Sequence, residues 1–236
     1  MRRSAIFIGV VLALLIILPH PPHSRSLDNA DAWVTINECW MLCDLKLNFA
    51  PTICDVDQDY DNELVLVNDS EIIILNTDGE IESKIAIPGQ INYRVLIGNI
   101  DEDSDYEFIT LINNSFAYID QGSIICYYDI KVKKNAYLLV WDIDKDCIDE
   151  VIIASKGTVY LYDCGNFRVI FKVEDKIIRN VLVGDINGDD LYEIIIALFY
   201  DSLRVLNATY YEILTAEIGM RRILLLSDVN DDGISD

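Results

Sequence analysis

A chain of 236 residues that is 52% hydrophobic and 25% charged is long enough to bury a full core, which excludes a disordered polymer. Its formal net charge of −22 excludes nucleic acid as a partner, because a phosphate backbone needs Lys and Arg to displace its counterions. Cations or basic partners are the complementary class.

Residues 1–27 read as a targeting segment. Arg2 and Arg3 precede an apolar run from Ala5 to Leu18, followed by Pro19, Pro21 and Pro22. That run is short for a membrane span of roughly 20 residues and suits a signal peptide, with Ser24-Arg25-Ser26 offering a cleavage site before Leu27. An uncleaved anchor is the alternative and the one membrane association implied. Either way the protein is expected to be secreted or on the extracytoplasmic surface. Both histidines, His20 and His23, fall in this segment, so the domain over 28–236 has none. A His base, a Ser-His pair and a His-ligated zinc are thereby disfavoured.

Trp33 to Leu47 then reads as one or two outer strands, and from Asp55 an acidic nine-residue loop recurs five times. The copies are DVDQDYDNE (Asp55 to Glu63), NIDEDSDYE (Asn99 to Glu107), DIDKDCIDE (Asp142 to Glu150), DINGDDLYE (Asp185 to Glu193) and DVNDDGISD (Asp228 to Asp236). Their starts lie 44, 43, 43 and 43 residues apart. The loops hold 23 of the 40 acidic residues and one base, Lys145, so the rest of the chain is neutral, with 17 acids and 17 bases. Carboxylates concentrated in tight loops repel one another unless something cationic resides there.

Between the loops, short runs rich in Ile, Val, Leu and Tyr alternate with polar turns, which predicts strands. After the second loop they are Glu107 to Asn113, Phe116 to Ile119, Ser123 to Ile130 and Tyr137 to Ile143. After the third they are Val151 to Ala154, Thr158 to Tyr162, Phe167 to Val173 and Ile177 to Ile186. Turns are expected at Asn113-Asn114-Ser115, Ser155-Lys156-Gly157 and Cys164-Gly165-Asn166. Four strands per period predict an all-β fold, a β-propeller of four-stranded blades with four complete blades and an incomplete fifth. An open β-solenoid is the competitor, but its rungs are shorter. The Trp141-Asp142 pair does not indicate a WD40 repeat, since the equivalent pairs lack Trp. The first blade is expected near Pro51 and the fourth to end by Ile218. Arg222 to Val229 would pair with the Trp33 to Leu47 strands to close the ring, hiding sheet edges. The chain stops at Asp236, inside the fifth loop, which implies a truncated product or a portion of a longer protein.

Calcium takes roughly six to eight oxygens, and side chains at positions 1, 3 and 5 of a tight loop supply several, with an acid at position 9 closing the sphere. Position 1 is Asp55, Asn99, Asp142, Asp185 and Asp228; position 3 is Asp57, Asp101, Asp144, Asn187 and Asn230. Position 5 is Asp59, Asp103, Asp146, Asp189 and Asp232; position 9 is Glu63, Glu107, Glu150, Glu193 and Asp236. Asp61 and Asp105 add carboxylates at position 7 of the first two loops. These are the candidate ligands of several Ca²⁺ ions per chain. A glycine at position 6 would ease a positive φ, yet the position holds Tyr60, Ser104, Cys147, Asp190 and once Gly233. The Asp185 loop ranks first among the complete copies, then the Asp55 loop, then those at Asn99 and Asp142.

An EF-hand starts similarly, but its loop is longer and lies between helices. The loops instead resemble those of the FG-GAP and VCBS-type repeats of integrin alpha-chain propellers and microbial surface proteins, over residues 50–236. The Phe-Gly and Gly-Ala-Pro signatures are absent, so integrin-like ligand binding is not implied. The resemblance implies a non-catalytic secreted or cell-surface interaction or adhesion module that meets a protein or glycan. The alternative is the propeller portion of a polysaccharide-active, lyase-like enzyme, against which no complete catalytic constellation stands out.

Six cysteines in an exported chain permit disulfides. Cys147 and Cys164 are a candidate pair at two hairpin ends; Cys39, Cys43 and Cys54 cluster near the start; Cys54 and Cys126 also suit plain burial. Sequons at Asn68, Asn113 and Asn207 lie at predicted turns. The thirteen tyrosines fit core and sheet packing better than a sugar-binding platform.

Overall fold

Apolar residues on both faces of successive strands dictate a stack of sheets, and the computed structural model shows one. It describes residues 47–217 apart from 131, 133–135, 175, 200 and 201, and the backbone alone of 125–127, all within the compact unit Cys39–Asp236. The targeting segment, the expected Trp33 to Leu47 strands up to residue 46, and the fifth loop lie outside the described residues.

The first sheet comprises β1 (Thr52–Cys54), β2 (Glu63–Asn68), β3 (Glu71–Leu75) and β4 (Ile81–Ala86). The second comprises β5 (Leu96–Gly98), β6 (Glu107–Ile112), β7 (Ser115–Asp120) and β8 (Ser123–Tyr128). The third comprises β9 (Tyr137–Trp141), β10 (Glu150–Ser155), β11 (Thr158–Asp163) and β12 (Asn166–Lys172). The fourth comprises β13 (Ile178–Gly184), β14 (Glu193–Leu198), β15 (Ser202–Leu206) and β16 (Glu212–Glu217). Each sheet is an antiparallel meander with strands in sequence order. Each of the four described acidic loops joins the first strand of a sheet to its second, and the pairs Cys54 with Glu63, Gly98 with Glu107, Trp141 with Glu150 and Gly184 with Glu193 fix its base.

The second strand of each sheet is almost wholly apolar because neighbours cover both its faces. Val65, Val67, Ile72 and Ile74 of the first sheet share a core with Phe108, Ile112, Ala117 and Ile119 of the second. Ile109, Leu111, Phe116 and Tyr118 meet Leu138, Val151, Ile153 and Tyr162 of the third. Ile152, Ala154, Val159 and Leu161 meet Val181, Ile194, Ile196 and Leu206 of the fourth. Tyrosines serve this packing: Tyr162 is buried, 5.4 Å from Phe116 between ring centroids, and Tyr128 stacks on Phe167 at 4.5 Å.

The closed propeller is corrected. Among the described residues the four sheets are separate and open, no strand of one pairing with a strand of another, and the propeller of the FG-GAP and VCBS-type repeats and of integrin alpha-chains is not what they build. The period misled because it counts strands per repeat, a property shared by any array of four-stranded units. Closure depends on the rotation between neighbours and on pairing of the chain ends. The adhesion module and the lyase-like alternative both rested on propeller architecture, and both fall with it.

The proposed Cys147–Cys164 disulfide is also corrected: both thiols are free, as is that of Cys54. Cys39 and Cys43 lie outside the described residues. Asn68, Asn113 and Asn207 stand at strand ends and turns, as expected.

Candidate metal centres

The acidic loops are built by their own side chains. In the first, Asp55 accepts the Asp59 amide on Oδ1 (3.0 Å) and the Tyr60 amide on Oδ2 (3.0 Å), and Asp59 Oδ1 accepts the Asp61 amide (2.8 Å). The third repeats this, Asp142 accepting the amides of Asp146 (3.1 Å) and Cys147 (3.0 Å). In the fourth, Asp185 accepts those of Asn187 (3.1 Å), Gly188 (2.7 Å) and Asp190 (3.0 Å). Short polar side chains that bond backbone two to five residues ahead favour such turns over strand.

These bonds hold positive φ at positions 4 and 6: Gln58 (61°) and Tyr60 (79°), Lys145 (62°) and Cys147 (74°), Gly188 (77°) and Asp190 (68°). The left-handed region is therefore needed twice in each of these three loops, and glycine meets that need only at Gly188. Because an L side chain is strained there, Cys147→Gly is expected to raise stability by about 1 kcal/mol. Urea denaturation measures it, and a loss of stability would show that the Cys147 side chain itself contributes.

Position 9 is the invariant of the geometry. Glu63, Glu107, Glu150 and Glu193 are 4%, 0%, 1% and 1% exposed. Each accepts on Oε2 the amide of position 2: Val56 (2.7 Å), Ile100 (2.8 Å), Ile143 (2.8 Å) and Ile186 (3.1 Å). Burial pushes all four carboxyls up, against the opposing pull of that amide and with help from neighbouring aspartates, to about 7 for Glu107 and about 8 for Glu150.

Three loops gather carboxylates tightly. Asp55, Asp57 and Glu63 bring oxygens within 4.8 Å of one another, as do Asp101, Asp103 and Glu107, and Asp142, Asp144 and Asp146. Each group could coordinate a divalent cation. The Asp185 loop is not among them: Asn187 Nδ2 donates to Glu193 Oε1 (2.8 Å), and the Asp185 carboxylate is consumed by amides. Burial would raise Asp185, but the amides of Gly188, Asn187, Asp190 and Asp189 outweigh it and hold its carboxyl low. Asp61 and Asp105 give amides to Asp59 and Asp103 and join no group, nor do Asp59 and Asp189. Asp228, Asn230, Asp232 and Asp236 lie outside the described residues.

The second loop departs from the others. Asn99 and Glu107 leave Oδ1 and Oε1 buried without a hydrogen-bond partner. Its base is instead tied to the third loop: the Asn99 amide donates to Asp149 Oδ2 (3.0 Å) and the Asp149 amide to the Asn99 carbonyl (2.6 Å). Gly98 permits the approach, since a Cβ there would lie 2.6 Å from Asp149 Oδ2. A buried carboxylate with an unpartnered oxygen is costly unless it is neutralised, and a hard cation beside Asp101 and Asp103 fits that donor set.

Two acids near the loops were missed from sequence. Asp120 closes β7 and Asp163 closes β11, each 13 residues beyond its loop's terminal glutamate. Aligning the repeats would have shown that spacing, which holds Asn76 in the first copy. Asp163 is paired with Arg168 (3.3 Å).

No family model matches the chain, and no curated protein does. Among solved structures, the V. cholerae biofilm matrix protein Bap1 is similar with TM-score 0.49 and 18% identity, over 71% of this chain and 28% of that one. A luciferin-regenerating enzyme is similar with TM-score 0.43 and 15% identity, over 78% and 67%. A member of the DUF4221 family from Bacteroides vulgatus is similar with TM-score 0.41 and 16% identity, over 78% and 62%. The chain thus spans little more than a quarter of the length of Bap1, and likenesses this distant assign it neither a family nor an activity.

Proposed function

We propose that the protein binds calcium through its acidic loops and uses the ions structurally, without catalysis, to neutralise buried carboxylates and stiffen the turns between first and second strands. The observation that carries this reading is Glu107, fully buried beside Asp101 and Asp103 with one oxygen unpartnered. Calcium suits the donors better than other divalent ions. They are all oxygen, which disfavours zinc and copper, and the irregular loops suit calcium's flexible sphere better than the strict octahedron of magnesium.

Calorimetric titration of metal-free protein with calcium is expected to show binding at more than one site, at a lower concentration than magnesium requires. Glu107→Gln should remove one site and leave the others. Absence of calcium heat across the millimolar range would sink the proposal.

A further inference from the structure

The repeat makes the acidic loops look equivalent, but unsatisfied oxygens are concentrated at one of them. Five buried side-chain atoms among the described residues lack a hydrogen-bond partner. Two are Asn99 Oδ1 and Glu107 Oε1, and a third is Oδ1 of Asp120. Asp120 is carried by the β7–β8 hairpin, outside the nine-residue loop. The next residue of that hairpin, Gln121, donates Nε2 to Asp105 Oδ2 of the loop (3.4 Å), which seats the hairpin end against it. Asp120 lies within electrostatic reach of Asp101, Asp103, Asp105 and Glu107. The acids therefore share one field.

We propose that Asp120 is a ligand of the cation at the second loop, and that this recruited carboxylate makes the second loop the tightest cation site among the described loops. Asp101, Asp103 and Glu107 already bring oxygens within 4.8 Å of one another, and Asp120 stands outside that group; a turn of its side chain toward the ion, with Asn99, would give five oxygen-bearing ligands, four of them carboxylates. The other described loops lack such a ligand. Asp163, at the equivalent position, is neutralised by Arg168, and the first loop offers the neutral Asn76, whose Oδ1 accepts the amides of Asp78 and Glu80. In the fourth loop Asn187 turns a donor toward Glu193. A hard cation supplies what three unpartnered oxygens need at once, whereas a proton shared by two of them leaves the third unmet.

The proposal rests on the calcium reading, and Asp120→Asn separates the two. Calcium titration of wild type, Asp120→Asn and Asp163→Asn is read alongside the thermal midpoint of each protein in metal-free buffer. Asp120→Asn is expected to weaken the tightest site about 10- to 100-fold while the remaining sites are unchanged. Its metal-free midpoint should hold or rise, because a carboxylate repelled by Asp101 and Asp103 has been removed. Asp163→Asn should leave the tightest site intact. If wild type binds calcium and Asp120→Asn gives the same isotherm, Asp120 is no ligand and the calcium reading stands. If Asp120→Asn loses metal-free stability, the role of Asp120 is structural and the proposal is overturned. If wild type binds no calcium, both readings fail.

Discussion

Stripping calcium with EGTA is expected to lower the thermal midpoint by roughly 5–10 °C for each site emptied, starting from ions held at about 100 times their dissociation constant. A ligand bound only by the folded state adds stability by mass action, about 2.7 kcal/mol at that saturation. The folded chain has reason to respond. Glu107 and Glu150 are buried acids with aspartates for charged neighbours, and they sit where the first and second strands of a sheet meet. The loops also touch in series. Gln58 Nε2 donates to the Ser104 carbonyl (2.5 Å), Asn99 and Asp149 exchange two bonds, and the Tyr192 amide reaches the Ile143 carbonyl (3.2 Å). Ordering one loop therefore orders its neighbour, and the losses should exceed the sum expected of independent sites. Differential scanning calorimetry with and without chelator measures the effect. An unchanged midpoint would remove the ions from the folded state.

Metal-free protein should also lose stability as pH rises from about 5 to about 8. Burial raises the carboxyls of Glu107 and Glu150 from the ordinary 4.5 to about 7 and about 8. Through that window the folded chain holds protons that the unfolded chain has already released. Stability therefore falls with rising pH, the reverse of an ion-paired carboxylate. Burial raises Glu63, Glu193, Asp144, Asp149 and Asp120 in the same direction. A bound cation replaces the proton and removes the dependence, so calcium should protect most at pH 8 and least at pH 5. Urea midpoints across that range, with and without calcium, test this, and Glu150→Gln should flatten the metal-free slope. A metal-free protein that grows more stable toward pH 8 would show these glutamates paired or hydrated instead.

Much of the strand pattern was legible because each strand is short, apolar and bounded by turn residues. The expected runs Thr158 to Tyr162 and Phe167 to Val173 agree with β11 and β12 to within a residue at each end. The acidic loops were legible for a related reason: alternating carboxylates between two strands have few other uses. Other features of the site were not. Asp120 and Asp149 act on a loop from outside it or across to a neighbour, and no local pattern encodes such a contact. Nor did glycine usage reveal the turn, since Asp55 and Asp142 hold Tyr60 and Cys147 in the left-handed region through amide bonds.

The five acidic loops, their spacing, and four strands per repeat followed from the amino-acid sequence alone, because turn chemistry and hydrophobic alternation are local. Tertiary structure decided that the described sheets stand open rather than closed into a ring. It also separated loops that look alike in sequence. Asn187 aims an amide at Glu193, Asp163 meets Arg168, and among the described loops only the second has three buried oxygens at or beside it, on Asn99, Glu107 and Asp120, with nothing to bond. The acidity of a loop is written in its residues, whereas which oxygens are left unpaired depends on what the neighbouring hairpin and sheet bring to them.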